Sequence, residues 1–515
     1  MAEAAAGIIP PPRLGTKLVY GLGSVAFGSK DAGFATFLLI FYNQVLGVPA
    51  TLVSLAIMIA ILADAVIDPI IGEISDNWRS RLGRRHPFMF AAALPVGLLY
   101  FALWNPPHWS TPALFFYLVA SAIAVRIAIA CYEIPSAALA PELSPDYDQR
   151  TSLMAFRWLF GALGAGVTLT IAFIFFLVAT PAQPAGILNR DGYFAYSIMA
   201  ALVMVASILA SAYGTRGRIR YMKPLAPRPR PPLRQIAREM YESLSHRSLL
   251  MVTLSSLFSG MAGGMGSVLN TYFGTYFWRF TPQQLSVIGF GALLAALLAV
   301  VLAPIVSRTF DKKRGFVAAA FASLFVNNIT MTLKLLGLLP PDGSNALLLI
   351  FFASITVGLT LLIIAGILVT SMITDVVEDS ELKTGRRSEG LFSASLSFVN
   401  KATSALGILL AGALIDLVHF PQHASPATID IVAPGAVRNL VLIYMPVQIV
   451  LWIVAFSLIA GYRIDRKTHE HNLRRLAQAA TLAEAAPGGL GLATAGAPVD
   501  EAFEYPAAPK PAPGE

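Results

Sequence analysis

Twelve apolar stretches, separated by shorter polar connections, run along the chain. A helix needs about 20 apolar residues to cross a bilayer, and each stretch approaches or exceeds that length. The stretches cover residues 20–45, 50–75, 87–105, 111–140, 152–180, 193–213, 248–278, 283–306, 316–338, 345–373, 391–418 and 439–462. We therefore predict an all-α polytopic membrane protein with twelve transmembrane helices in two six-helix bundles.

The polar segments divide this plan into five parts. We expect an N-terminal cytoplasmic segment, a first bundle, a cytoplasmic central loop, a second bundle and a disordered cytoplasmic tail, at residues 1–17, 18–214, 215–247, 248–465 and 466–515. In the central loop, the proline-rich residues 224–232 favour an extended chain. Residues 233–244 fit a short amphipathic helix at the membrane surface.

Composition supports a membrane protein and excludes several other classes. The 515 residues are 56% hydrophobic and only 13% charged, with a mean hydropathy of +0.66, whereas soluble domains are about 25% charged. Since the net charge of +8 arises in short connections, no nucleic-acid partner is expected. The single cysteine, Cys131, rules out an internal disulfide. No histidine spacing suggests a metal enzyme, no nucleophile–base set suggests catalysis, and no cofactor is predicted.

Lysine and arginine concentrate in alternate connections, which predicts the orientation. Positive residues favour the cytoplasmic side, and nine lie between Arg216 and Arg247. Smaller groups are Arg79, Arg81, Arg84 and Arg85; Arg308, Lys312, Lys313 and Arg314; and Lys383, Arg386 and Arg387. The opposite connections hold only Arg190, Arg279 and Arg438. We expect both termini in the cytoplasm and a bacterial-type inner membrane.

Two aspartates, Asp64 and Asp68, lie within the second apolar stretch. Four residues make about one helical turn, so both carboxylates should share one face. A charge at the bilayer centre costs about 2.5–3.5 kcal/mol, which favours a functional pair that binds Na⁺ or a proton. In the alternative interpretation, each acid merely neutralises an arginine such as Arg157.

Asp31 and Glu133 are further acids inside apolar stretches. Asp31 is a candidate acceptor for hydrogen bonds from a polar substrate, or a partner of Lys30 or Arg126. Glu133 is a candidate cavity-lining group, or a structural partner of Arg126 or Arg157. Intramembrane charges of this kind pair with each other or line wet cavities.

Lys401 is an isolated cation in the eleventh stretch. One hypothesis is that it binds one of the acids when the coupling cation leaves. The other is a fixed counter-charge between the two halves.

An acidic segment at residues 374–383 is predicted to form gate salt bridges with the basic loops. Exposed ion pairs are individually weak, about 0–1 kcal/mol, and therefore suit a switch. The candidate gating residues are Asp76, Arg79, Arg84, Arg85, Asp375, Glu378 and Asp379.

Glycines at residues 260–266, and Gly161, Gly164 and Gly166, fall inside apolar stretches. No Lys-Ser/Thr pair follows the first group, so a phosphate loop is excluded. Close helix packing or bending is predicted instead.

These motifs resemble the glycoside–pentoside–hexuronide:cation symporters of the major facilitator superfamily, the family of the melibiose permeases. The resemblance extends over most of residues 15–465. Its most specific part is the Asp-x-x-x-Asp-Pro sequence of residues 64–69 followed by the basic loop of residues 79–88, Arg-Ser-Arg-Leu-Gly-Arg-Arg-His-Pro-Phe. Softer matches are Lys30-Asp31, residues 132–135, 148–150 and 375–379, and Asn400-Lys401.

The resemblance implies a major facilitator fold whose two halves rock about a central cavity. It implies that Asp64 and Asp68 hold the coupling cation, Na⁺ or H⁺, with Lys401 beside them. Substrate contacts would come from Lys30, Asp31, Tyr132, Glu133 and Arg157.

Some positions depart from the sugar-permease pattern. Glu133 replaces an aspartate, Ala137 replaces a tryptophan beside the sugar, and Ala130 replaces a hydroxyl-bearing residue. These changes disfavour a galactoside. The aspartate pair also occurs in animal lysolipid carriers.

The predicted function is cation-coupled symport of a sugar or glycoside by alternating access, without enzymatic activity. The alternatives are a cation-coupled carrier of lysolipids or other amphiphiles, and a membrane sensor that kept a carrier fold. The expected partners are a small sugar-like substrate and the lipid bilayer, and the protein is expected to be monomeric.

Overall fold

In the computed structural model, the regular secondary structure of the described residues is all helical. The described part of the chain comprises residues 10–219, 247–384 and 389–460, except positions 145, 182, 184, 311, 424 and 428, and it leaves out the side chains of residues 147, 247–249, 252, 308, 312, 371–397 and 460. We call residues 10–219 the first half and residues 247–460 the second half. The predicted amphipathic helix at 233–244 and the tail at 466–515 lie outside the described residues.

The long helices of the first half follow the predicted stretches within a few residues. Helix α1 consists of successive segments, Leu14–Leu22, Ser24–Gly33, Phe34–Leu38 and Phe41–Val45, the last two being π-helical. The others are α2 (Ala50–Asn77), α3 (His86–Trp104), α4 (Thr111–Leu143), α5 (Tyr147–Ile171, continued by the π-turn Ala172–Phe176) and α6 (Arg190–Arg216). A 3₁₀ turn, Gly186–Leu188, precedes α6.

The second half contains a corresponding series. Its helices are α7 (Arg247–Tyr272, continued by the π-turn Phe273–Phe277), α8 (Pro282–Phe310), α9 (Lys312–Leu335), α10 (Asn345–Thr384), α11 (Glu389–Leu417) and α12 (Ala436–Ala460), with a short helix at Ile429–Val432. Ten helices of the described residues are long and apolar enough to cross a membrane; α1 and α7 are not among these ten.

The same packing pattern recurs in both halves. Helix α1 packs against α5, α2 against α4, and α3 against α6. Six helices later, α7 packs against α11, α8 against α10, and α9 against α12. Between the halves, α2 contacts α11 and α5 contacts α8. These two pairs are also related by a shift of six helices.

Small residues allow the closest helix contacts. A Cβ on Gly164 would lie 2.6 Å from Cα of Val25 on α1, and one on Gly264 would lie 2.1 Å from the carbonyl oxygen of Ser404 on α11. Close packing is thus confirmed at these two glycines. At Gly166 and Gly263, in contrast, an added Cβ would meet nothing within 4 Å.

Candidate functional site

The two aspartates of α2 share one face and meet a lysine from the other half. Asp64 is buried, with 7% of its surface exposed, and Asp68 is half-buried. Lys401 on α11 donates through Nζ to Oδ2 of Asp64 at 2.9 Å and to Oδ2 of Asp68 at 2.5 Å. The predicted common face of the acids is confirmed, since one ammonium group reaches both carboxylates.

An arginine on α4 completes the environment of Asp64. Arg126 is buried and donates from Nη1 to Oδ2 of Asp64 at 3.2 Å, while its guanidinium carbon lies 5.2 Å from the ring centre of Phe34. The alternative in which an acid of the pair neutralises an arginine is thus met at Asp64 by Arg126, whereas Arg157, named above as an example, pairs with Glu133. Arg126 was considered above as a partner of Asp31 or Glu133; its partner Asp64 is set by the crossing of α2 and α4.

The candidate substrate residues form a second group, on α1, α4 and α5. Lys30 is buried and pairs with Asp31 at 2.5 Å, while 62% of the Asp31 side chain is exposed. Arg157 pairs with Oε1 of Glu133 at 3.8 Å and donates to Oγ of Ser136 at 3.1 Å. The Asp31 carboxylate is therefore the most accessible acid of this group.

Tyr132 differs from its neighbours because it is fully buried. Its hydroxyl lies against Gly23, where an added Cβ would come within 1.6 Å, and it makes no hydrogen bond in the described part of the chain. Tyr132 faces helix α1 rather than open space in this conformation, and its role in substrate binding stays a prediction.

Acids and bases balance across these two groups. Every acid has a basic partner within 4 Å, and the lysine at position 401 serves two of them. The acids are Asp31, Asp64, Asp68 and Glu133, and the bases are Lys30, Arg126, Arg157 and Lys401. The site is thus formally neutral with all eight groups ionised and nothing bound.

The predicted gating arginines pair within the first half, at the basic end of the molecule, where α2 ends and α3 begins. Arg84 and Arg85 both contact Oε1 of Glu142, at 2.7 and 3.1 Å, and Arg85 also pairs with Asp76. Glu142, at the end of α4, was missed because its sequence context looks like an ordinary helix terminus. Arg79 is exposed.

The acidic part of the predicted gate, Asp375, Glu378 and Asp379, belongs to α10, but these side chains lie outside the described residues. Their role in gating stays a prediction.

At the opposite end, where α1 ends and α2 begins, buried polar side chains join the two halves. We call this the α1–α2 end. Tyr272 donates to Oδ1 of Asn43 at 2.7 Å, and Tyr276 donates to Oε1 of Gln44 at 3.2 Å. Gln44 also donates to the carbonyl of Pro421 at 3.1 Å. All four side chains are at most 2% exposed, so this contact excludes water.

A carboxylate reinforces the same contact. Asp416 on α11 accepts hydrogen bonds from the backbone nitrogens of Ala50, at 3.2 Å, and Thr51, at 2.8 Å. It therefore satisfies the first turn of α2, where backbone N–H groups lack partners and an acid is favourable. Close by, a Cβ on Gly412 would lie 2.0 Å from Oγ of Ser54. Nothing in the sequence patterns identified these cross-half contacts.

No group of three or more His, Cys, Asp or Glu residues that could hold a metal ion occurs in the described chain. Asp64 and Asp68 are two carboxylates whose nearest cation is Lys401. A Na⁺ ion at this position would need the ammonium group to move away.

Comparisons with known proteins identify the family. The profile described as MFS/sugar transport protein matches residues 19–466. An uncharacterized symporter of Synechocystis sp. is 26% identical, with 88% of this chain and 95% of the relative covered. The isoprimeverose transporter of Lactiplantibacillus pentosus is 24% identical, with 87% and 88% covered.

The fold agrees with that assignment. The crystal structure of the nucleoside transporter NupG aligns with a TM-score of 0.59 at 12% identity, covering 87% of this chain and 99% of that one. These relatives are transporters, not enzymes, and the resemblance to sugar symporters noted from the motifs is confirmed. The chain is a membrane protein that belongs to the MFS/sugar transport protein family.

Proposed function

We propose that the protein is a secondary active transporter that couples entry of Na⁺ or H⁺ to symport of a sugar or glycoside. The observation that carries this proposal is the contact of Lys401, from the second half, with both intramembrane aspartates of the first half. Support for a sugar-like substrate comes from the family and from the isoprimeverose transporter among the relatives.

The twelve helices form two six-helix bundles in this proposal. The packing pattern that recurs after six helices supports this view, as expected for parallel repeats of a carrier. The lysine and arginine bias assigns the basic end and both termini to the cytoplasm of a bacterial cell. The α1–α2 end then faces outward, and its buried contacts correspond to a conformation closed on that side.

Coupling follows from the charge balance. With four acids and four bases in place, an additional cation would leave an uncompensated buried positive charge, which is costly. A cation that binds Asp68 must therefore displace the Lys401 ammonium. Since Lys401 lies on α11 and the acids on α2, displacement removes a tie between the halves. Loading then biases the two-state equilibrium, as coupling requires.

Arg126 has a different role in this cycle. A guanidinium stays protonated in proteins, so Arg126 remains a charge partner of Asp64 whether or not Lys401 is present. Asp68, which has Lys401 as its charge partner, is the exchangeable position. The sugar hydroxyls bind the accessible Asp31 and the Glu133–Arg157 pair, with Lys30 and Tyr132 supporting that surface.

Proteoliposomes with an imposed Na⁺ or H⁺ gradient test the proposal, with isoprimeverose and D-xylose as the first sugars. The wild-type protein should accumulate sugar against its gradient. Asp68→Asn should abolish accumulation and keep sugar counterflow, because exchange needs no net cation movement. Uphill uptake by Asp68→Asn at the wild-type rate would refute the coupling role. If the wild type showed no counterflow with any of the sugars tested, the alternative of a membrane sensor with a carrier fold would be favoured.

A further inference from the structure

A cavity of about 310 Å³ lies inside the second half, among α7, α9, α10 and α12. None of the eight charged residues described above lines it. Its size falls at the lower end of small-molecule pockets, which measure roughly 300–1,000 Å³.

One buried acceptor in the cavity wall lacks a partner. Asn328 is 8% exposed, and its Nδ2 donates to the carbonyl of Leu324 at 2.8 Å. Its Oδ1 is buried and accepts no hydrogen bond within the described part of the chain. A buried carbonyl oxygen without a partner is costly, so this atom indicates a missing donor.

Further polar groups surround the same space. Asn270 on α7 and Tyr444 and Gln448 on α12 line the cavity, and no hydrogen bond of their side chains occurs among the described residues. Amides and phenols both donate and accept. Trp452 adds an indole face to the wall. This combination matches a molecule with several hydroxyl groups and an apolar ring face.

The lining residues also exclude a charged occupant. They include no Lys, Arg, Asp, Glu or His. A charge at membrane depth without a counter-charge is expensive. Gly263 lines the cavity, and a Cβ there would meet nothing within 4 Å, so this helix face leaves room for a ligand.

We propose that this cavity binds a neutral, hydroxyl-rich molecule of about monosaccharide size, at a second site separate from the acid–base cluster. This site goes beyond the transport function proposed above. It predicts that neutral sugars bind even when the proposed transport contacts at Asp31 and Arg157 are removed.

The test uses purified protein that carries Asp31→Asn and Arg157→Gln, which remove the proposed sugar contacts of the acid–base cluster and keep its formal charge. The probes are radiolabelled D-xylose and D-glucose, and D-glucuronate is the charged comparison. Both neutral sugars should bind, and D-glucuronate should not. Gly263→Leu, which fills the cavity, should weaken binding at least about tenfold. Gly366→Leu is the matched control, because a Cβ there also meets nothing within 4 Å and Gly366 does not line the cavity.

A second measurement does not depend on the filled variant. In a Cys131→Ser background, Ser267→Cys introduces a thiol into the cavity lining. D-xylose or D-glucose should slow its reaction with a maleimide, and D-glucuronate should leave the rate unchanged.

The outcomes separate this site from the transport proposal. If neither neutral sugar binds or protects the thiol, the second site is refuted. The transport proposal then still rests on gradient-driven uptake by the wild type. Equal binding of D-glucuronate overturns the neutral ligand class. Binding that is the same in Gly263→Leu and Gly366→Leu overturns the location. Conversely, loss of coupled uptake without loss of this binding counts only against the transport proposal.

Discussion

At the scale of single residues, Lys401 and Arg126 are both bases next to Asp64, yet their surroundings differ. Arg126 is buried beside Phe34, whereas the Lys401 side chain is 33% exposed and bridges to the other half. The arginine therefore suits a permanent partner and the lysine an exchangeable one. Both roles lead to measurable consequences.

Replacement of Lys401 by glutamine should uncouple transport. Asp68 then lacks its ammonium partner and holds a cation in both conformations. Cation binding therefore no longer changes the contact between the two halves. Gradient-driven accumulation should fall about tenfold, within the range of typical coupling energies, while counterflow persists. Sugar accumulation and sugar counterflow are both measured in proteoliposomes and compared with the wild type. Lys401→Arg is the charge-preserving control, and unchanged accumulation in Lys401→Gln would contradict the exchange role.

Replacement of Arg126 by glutamine should destabilise the protein. Removing one partner of a buried pair leaves an uncompensated charge and costs about 3–5 kcal/mol. Adding Asp64→Asn removes that charge and should restore most of the lost stability, as measured by thermal unfolding in detergent. The matched control is Arg157→Gln combined with Asp64→Asn, in which the two residues are not partners and no rescue is expected. Equal rescue in both double variants would refute the pairing.

At the scale of elements, the first turn of α2 depends on a side chain from another helix. Pro49, which precedes α2, offers no side-chain cap, and Asp416 on α11 accepts from the backbone nitrogens of Ala50 and Thr51 instead. Helix α2 also carries the acid pair. The start of the functional helix is thus stabilised only while the halves touch at the α1–α2 end.

Asp416→Ala should therefore weaken closure at the α1–α2 end. Loss of a helix cap costs about 1 kcal/mol, which changes an equilibrium about fivefold. Val53→Cys in a Cys131→Ser background reports on this end, because Val53 is fully buried on α2. Its reaction with a maleimide should become about fivefold faster.

The control for this prediction is Asp342→Ala. Asp342 pairs with Lys334 inside the second half, at 2.5 Å, and should not affect contact between the halves. Equal acceleration of labelling in the Asp342 and Asp416 variants would show that the cap has no specific role in closure.

At the scale of the whole molecule, the two halves meet through the α2–α11 and α5–α8 pairs and through contacts of α1 with α7. The α2–α11 contact includes both the Lys401–aspartate bridges and the close approach at Gly412. In the proposed alternating-access cycle, this contact opens and closes. The monomeric state predicted from the sequence stays a prediction.

Gly412→Val should prevent closure at the α1–α2 end. Its Cβ would meet the Ala50 carbonyl oxygen at 2.5 Å and the side-chain Oγ of Ser54 at 2.0 Å, and the carbonyl belongs to the helix backbone of α2, which cannot yield easily. Sugar counterflow should be lost while cysteine labelling at position 53 becomes fast. Gly289→Val on α8, where a Cβ meets nothing within 4 Å, should retain both wild-type behaviours. Wild-type counterflow in Gly412→Val would contradict a closing movement here.

The helical stretches and the shared face of Asp64 and Asp68 could be predicted because both depend on spacing along one helix. Hydrophobic length sets the spans, and the helical turn sets the common face. The motifs around these residues were also sufficient to indicate the family. None of these properties depends on how distant helices cross.

The partner of each charge was decided only by the tertiary structure. Arg126 is 62 residues from Asp64, and Lys401 is 337 residues from it. Several bases in the apolar stretches were equally plausible partners from sequence, because pairing depends on which helices cross at the same depth. For the same reason, the contacts of Glu142, the cap by Asp416 and the neutral cavity lined by Asn328 exist only once distant helices pack together.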